Sequence, residues 1–151
     1  TSWGRNQLVK LHNGAELLFD GYNANPDSMK ALIENVPLLR TRGKKIGVFA
    51  QMKELGDLSS AAHEELGYLV SQAGFDLIWF YGDDSTSFEA GVRRGNYQKK
   101  LIVSNTYEDS LASEVASMVN PSDTVLVKGS RGMKMERFVI ACEPEEFSLS
   151  K

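Results

Sequence analysis

Cysteine and histidine are scarce in this chain: one cysteine, Cys142, and two histidines, His12 and His63, among 151 residues. A lone thiol excludes an internal disulfide and a cysteine-rich zinc site, and two histidines so far apart in sequence suggest no metal cluster. Long apolar runs are missing too. None approaches the roughly 20 residues needed to cross a bilayer, and Thr1-Ser2-Trp3-Gly4-Arg5 does not resemble a signal peptide. These absences point to a cytoplasmic protein without membrane insertion. There is no basic excess, since the formal net charge is -3, so nucleic acid is not an expected partner. An initiator Met is absent, which suggests an excised piece, although processing gives the same start. Several reaction motifs are also missing. Gly43-Lys44-Lys45 lacks both the earlier glycine and the following Ser or Thr of a phosphate-binding loop, and no G-x-G-x-x-G, G-x-S-x-G or H-E-x-x-H occurs. By itself the chain has no engine for phosphoryl transfer.

What is present is the patterning of one α/β domain. Hydrophobic content of 42% and charged content of 25% are ordinary for a globular chain, and the length suits a single core. Apolar runs alternate with amphipathic ones, with Gly, Pro, Asn, Asp or Ser at each switch. Gln7 to Leu11 and Glu16 to Phe19 flank Asn13-Gly14, a hairpin signal. The pattern then predicts helices over 26–39, 59–73, 88–94, from about 106, and over 134–141, and strands over 46–50, 77–81, 101–104 and 124–128. Ile-Gly-Val-Phe-Ala, Leu-Ile-Trp-Phe-Tyr and Val-Leu-Val-Lys are continuously apolar, as in strands buried on both faces, so the sheet is expected to be mostly parallel with helices on each side. The domain is expected over 1–142, with a fraying tail over 143–151.

Three loops follow strand ends and should gather on one sheet edge, where α/β folds bind ligands. Asp20-Gly21-Tyr22-Asn23-Ala24-Asn25-Pro26-Asp27-Ser28 packs an acid, a ring and two amides into a strand-to-helix junction, with Asn25 as N-cap and Pro26 in the first helical turn. That junction reads either as a ligand site or simply as a good helix cap. Met52-Lys53-Glu54-Leu55-Gly56-Asp57 is less specific, and His63 on the next helix reads as a packing residue more readily than as a general acid or base. Lys128-Gly129-Ser130-Arg131-Gly132 offers an ammonium, a hydroxyl, a guanidinium and backbone amides, the groups that bind a carboxylate or phosphate. The plainer reading is a Gly-rich turn with solvated charges.

Taken together, Tyr22-Asn23-Ala24-Asn25-Pro26-Asp27-Ser28-Met29, Met52-Lys53-Glu54-Leu55-Gly56 with downstream His63 and Gly67, and Val127-Lys128-Gly129-Ser130-Arg131-Gly132-Met133-Lys134-Met135-Glu136 resemble the carboxy-terminal domain of the Mur ligases, and within them the branch that adds D-Ala-D-Ala. The resemblance runs from about Trp3 to Ala141. Gly21 departs from it where Asp or Ser is commoner, as does Gln51 where an acid is usual. The resemblance implies a Rossmann-like three-layer sandwich with an N-terminal hairpin. It also implies a larger cytoplasmic enzyme of peptidoglycan synthesis, whose N-terminal domain recognises the UDP-linked precursor and whose central domain carries the phosphate-binding loop. In such a ligase ATP phosphorylates the carboxylate of the UDP-MurNAc-tripeptide, with Mg2+ held mainly by the central domain. The amine of D-Ala-D-Ala then attacks the acyl phosphate. Carried over residue by residue, the resemblance implies that Arg5 is catalytic at the ATP γ-phosphate. Asp20 is implied at the ribose hydroxyls, Tyr22 and Asn23 at the adenine, and Asn25 between nucleotide and reacting ends. Lys128, Ser130 and Arg131 are implied at the dipeptide carboxylate. No metal ligand is expected in this chain, and the isolated domain is expected to be inactive. The alternatives are a sister ligase that adds a single amino acid and a stand-alone nucleotide-binding or interaction module.

Overall fold

The computed structural model describes residues 3–148. Six strands form one sheet: β1 (Gln7–Lys10), β2 (Glu16–Asp20), β3 (Lys45–Ala50), β4 (Leu77–Tyr81), β5 (Lys100–Ser104) and β6 (Thr124–Lys128). Five helices accompany them: α1 (Pro26–Asn35), α2 (Ser59–Ser71), α3 (Ser85–Arg94), α4 (Asp109–Ser117) and α5 (Glu136–Ala141). The strand order is β1-β2-β6-β3-β4-β5, and every pairing is parallel except the β1–β2 hairpin.

The continuous apolar runs are explained by two cores, one on each face of the sheet. Side chains alternate across a strand, so Val48 and Ala50 of β3 enter one core while Phe49 enters the other. Trp79 and Tyr81 of β4 separate from Ile78 and Phe80 in the same way. Met29, Ile33, Leu66, Val70, Phe88 and Val92 of α1, α2 and α3 seal one face, and Ala112, Val115, Phe138 and Val139 of α4 and α5 seal the other. Burying one such large side chain contributes about 1.5–3 kcal/mol. The two layers together cover both faces of the sheet beneath its loops.

Several boundaries differ from the sequence expectation. Helix α1 stops at Asn35 and tightens into a 3-10 turn over Val36–Leu38, because Pro37 brings no backbone N–H to continue the helical ladder, although Val36 itself keeps right-handed helical geometry. Helix α3 begins at Ser85 rather than Phe88, with the Ser85 amide donating to the Gly82 carbonyl at 3.1 Å. Helix α5 begins at Glu136, since Arg131–Met133 form a 3-10 turn ended by Lys134 at φ +52°. Within the expected fraying tail, the described residues 143–148 make contacts with the first strand and its neighbour. Pro144 bridges Leu11, the Glu145 amide donates to the Lys10 carbonyl at 2.8 Å, and Phe147 meets Phe19 edge to face at 5.5 Å. The last residues of the expected tail, 149–151, lie outside the described ones.

Candidate functional site

β6 lies between β2 and β3, so Asp20, Lys128 and Phe49 share one level at the carboxyl edge of the sheet. After β2 and β3 the chain turns to the face of α1 and α2, whereas after β6 it turns to the face of α5. Divergence of that kind opens a crevice outside the strand ends. The three loops singled out in the sequence meet there, and Arg5, just before β1, joins them because β1 runs antiparallel to β2. The Tyr22 amide donates to the Gly4 carbonyl at 3.0 Å, which ties this N-terminal segment to the β2 loop.

The floor of the crevice is an ion pair. Lys128, 1% exposed, donates from Nζ to Asp20 Oδ2 at 2.9 Å and to the Asn23 carbonyl at 3.2 Å. Lys128 therefore stands beneath the β2 loop rather than in the open cleft. Asn25 and Ser28 form a reciprocal cap: the Ser28 amide donates to Asn25 Oδ1 at 2.8 Å, and the Asn25 amide donates to Ser28 Oγ at 3.1 Å. Asn25 is the N-cap, and its side chain and that of Asn23 remain exposed. Gly21 is explained by its neighbour, since a Cβ there would lie 2.5 Å from Cε1 of the Phe19 ring.

Above the floor, two guanidiniums share one phenol ring. Arg5 Cζ lies 3.9 Å and Arg131 Cζ 5.0 Å from the centroid of Tyr22, and Arg131 also approaches Trp3 at 5.9 Å. Among the described residues neither guanidinium has a carboxylate within ion-pair distance. Cation–π contact with a ring offsets part of the cost of holding two like charges together. The sequence proposed roles for Arg5, Tyr22 and Arg131 separately; their convergence on one ring is a tertiary fact. Next to the Arg131 turn a cavity of about 260 Å³ opens, lined among others by Lys53, Tyr81, Asn105, Tyr107 and Arg137. A larger one, about 510 Å³, lies at the opposite sheet edge around Leu11, Asn13 and Cys142, and none of the β2, β3 and β6 loop residues lines it. Burial there pushes the Cys142 thiol up to about 12, which keeps it an unreactive neutral thiol at ordinary pH.

Ser130 is 7% exposed and is used internally. Its Oγ accepts the Lys53 amide at 3.1 Å, and its own amide donates to the Gln51 carbonyl at 3.5 Å, so the β3 and β6 loops are joined. Gln51, the second departure from the family pattern, pairs through both ends of its amide with Asp84: Nε2 donates to Asp84 Oδ2 at 2.5 Å, and Oε1 accepts the Asp84 amide at 2.9 Å. An acid at position 51 would confront the Asp84 carboxylate, so the amide matches its partner. Asp84 is held below the ordinary carboxylate range by the Ser59 hydroxyl first, against burial, and then by the Gln51 amide. Sequence reasoning did not single out Asp84 or the Lys53 backbone, since neither belongs to a motif whose spacing marks it.

The sequence matches the family described as "Mur ligase, glutamate ligase domain" over residues 4–131. The chain belongs to that family. The domain is 35% identical over 135 residues to the UDP-N-acetylmuramoyl-tripeptide--D-alanyl-D-alanine ligase of Bacillus subtilis (strain 168), covering 89% of this chain and 29% of that protein. It is 31% identical over 140 residues to the ligase of the same name from Escherichia coli (strain K12), covering 93% of this chain and 29% of that protein. The chain thus spans under a third of the length of these curated relatives. Among solved structures, MurF ligase from Thermotoga maritima in complex with ADP superposes with a TM-score of 0.71 at 29% identity, over 94% of this chain and 31% of that one. MurF from Acinetobacter baumannii gives 0.78 at 26%, over 93% and 30%. The three-layer Rossmann-like architecture of the domain is the one expected from the resemblance.

Proposed function

We propose that the domain, over 1–142 with its appended tail, serves as the carboxy-terminal part of a cytoplasmic, ATP-dependent ligase that joins D-Ala-D-Ala to the UDP-MurNAc-tripeptide precursor of peptidoglycan. The observation that carries this reading is the pair of guanidiniums without carboxylate partners over Tyr22. Kinship with ligases bearing that name supports it. ATP, when bound, supplies the phosphoryl group that makes a carboxylate electrophilic. The residues fit a nucleotide in chemical type: Tyr22, whose ring is already in contact with both guanidiniums, on the adenine side, the exposed Asn23 and Asn25 amides for base and sugar, and Asp20, of which only Oδ2 is engaged among the described residues. Arg5 is the fixed cation for the terminal phosphate. Arg131 takes the dipeptide carboxylate, with Ser130 shaping the turn and Lys128 acting from below. The 260 Å³ cavity beside that turn is smaller than the roughly 300–1,000 Å³ that drug-sized ligands occupy, in keeping with a dipeptide. Clamping an amine next to an activated acyl group converts a bimolecular step into a local one.

Magnesium is assigned to the central domain of the larger enzyme. Among the described residues no three His, Cys, Asp or Glu side chains gather to hold a metal. The test is Arg131→Ala in a ligase that carries this domain. The KM for D-Ala-D-Ala should rise about tenfold or more, the effect of losing one charge-assisted hydrogen bond, while the KM for ATP changes little. Equal effects on both would remove Arg131 from the acceptor site.

A further inference from the structure

His63 is fully buried on α2, and both its ring nitrogens are committed. Nε2 lies 2.9 Å from the Met52 amide nitrogen, and Nδ1 lies 2.8 Å from the Ser59 carbonyl oxygen. A backbone N–H only donates, so Nε2 must offer its lone pair, and the one ring proton then sits on Nδ1 and is donated to the Ser59 carbonyl. An imidazolium would point Nε2–H at the Met52 N–H and break the contact. Geometry alone therefore fixes both the tautomer and the neutral state.

The groups around the ring agree with this assignment. Phe80 of β4 meets the imidazole edge to face at 5.7 Å, and the Asp84 carboxylate before α3 lies 3.4 Å from Nδ1. Burial lowers the His63 pKa, while the Ser59 carbonyl and the Asp84 charge oppose the shift. Ser59, His63 and Asp84 superficially suggest a nucleophile with its base and acid. That reading fails because the Ser59 hydroxyl donates to Asp84 at 2.5 Å and the only lone pair on the imidazole is taken by backbone.

What this histidine holds is the β3 loop. Gln51, Met52 and Lys53 are anchored in turn: the Gln51 carbonyl to the Ser130 amide, the Met52 amide to His63, and the Lys53 amide to Ser130 Oγ. The next residue, Glu54, adopts φ +64°, a left-handed conformation that a non-glycine side chain keeps only when its surroundings impose it. We propose that His63 is a positioning residue: as the neutral Nδ1–H tautomer it latches Met52 to α2 and so, through Lys53 and Ser130, sets the place of the Arg131 turn. The functional half of this inference rests on the reading of Arg131 as the acceptor's anchor.

The first test is a long-range proton–nitrogen correlation spectrum of the 151-residue chain near neutral pH, which reports which imidazole nitrogen carries the proton. The expected result is protonated Nδ1 and bare Nε2, the reverse of the tautomer that free histidine prefers; an Nε2–H tautomer or an imidazolium overturns the proposal. The second is amide hydrogen exchange in His63→Leu and His63→Gln. Leu removes the acceptor, so exchange at Met52 and Lys53 should accelerate about tenfold or more while β4 and β6 amides hold. Gln, whose Oε1 reaches the place of Nε2, should restore most of the protection. Uniform acceleration throughout the chain, or none at the loop, overturns the latch. If His63→Leu prevents folding, the spectrum of the unaltered chain and the Gln variant decide the matter. In the complete ligase, the Leu variant should raise the KM for D-Ala-D-Ala about tenfold and leave that for ATP within about twofold. Loop exchange that accelerates without any such kinetic change supports the latch and overturns the acceptor reading of the Arg131 turn.

Discussion

Lys128 and Asp20 show how one buried contact outweighs many exposed ones. Their side chains are 2% and 13% exposed, whereas the partners in Arg94–Glu65 are 47% and 59% exposed. An exposed pair of that kind contributes about 0–1 kcal/mol, while removing one partner of a buried pair costs about 3–5 kcal/mol through the uncompensated charge. Lys128→Met should lower unfolding free energy by about that much, and adding Asp20→Asn should recover part of it. Urea titrations of the two variants check this; a single variant as stable as the parent would contradict it. His63 gives the pH dependence. Its folded pKa lies below the ordinary value near 6.5, so above about 6.5 both folded and unfolded states are neutral and the group adds no pH dependence. As pH falls through about 6.5, the unfolded imidazole binds a proton that the folded one refuses, and stability declines until the lowered folded pKa is reached. His63→Gln should remove that decline. Unfolding midpoints of both proteins from about pH 8 to pH 5 reveal it, and parallel curves would show that His63 contributes nothing to it. The Asp84 pKa, lowered mainly by Ser59, adds a loss of the same sign only below the ordinary carboxylate range.

Among the elements, α2 and α3 pack backbone to backbone. A Cβ added at Gly91 would lie 1.8 Å from the Glu64 carbonyl oxygen, and one at Gly67 would lie 2.1 Å from that of Phe88. Alanine improves helix propensity over glycine by about 1 kcal/mol, but here the neighbour is backbone and cannot rotate away, so the helices must separate. Overpacking of this kind costs about 1–3 kcal/mol, and the clash wins. Gly91→Ala should destabilise the domain by about 2 kcal/mol in thermal or urea unfolding; a more stable variant would show that the helices slide apart freely. Helix α1 has a different weak point. Asn25→Ala removes the cap bond to the Ser28 amide, with an expected loss of about 1 kcal/mol.

For the whole molecule, one sheet edge gathers the β2, β3 and β6 loops with Arg5, while the phosphate-binding loop that would supply phosphoryl chemistry is absent from the sequence. The 151-residue chain alone should therefore neither hydrolyse ATP nor form an amide bond, and a coupled assay for ADP release would register any exception. Whether it binds the dipeptide by itself is a separate question. An amide titration with D-Ala-D-Ala should move the signals of 129–132, and L-Ala-L-Ala should move them less. Shifts that ignore stereochemistry would indicate carboxylate binding by charge without a shaped pocket.

The sequence alone determined the alternation of strand and helix, the parallel sheet, the hairpin at Asn13-Gly14 and the Asn25 cap, because apolar periodicity and local capping chemistry are encoded within a few residues. It also marked the three loops and the family. Tertiary structure decided where Lys128 points, that Arg5 and Arg131 share Tyr22, that Gln51 answers Asp84, and that Pro144 and Glu145 pair with the end of β1. His63 as a packing residue was legible, but its tautomer and its grip on Met52 were not. Each of these contacts joins residues brought together only by the strand order, and no pattern along the chain records which side chains that order sets face to face.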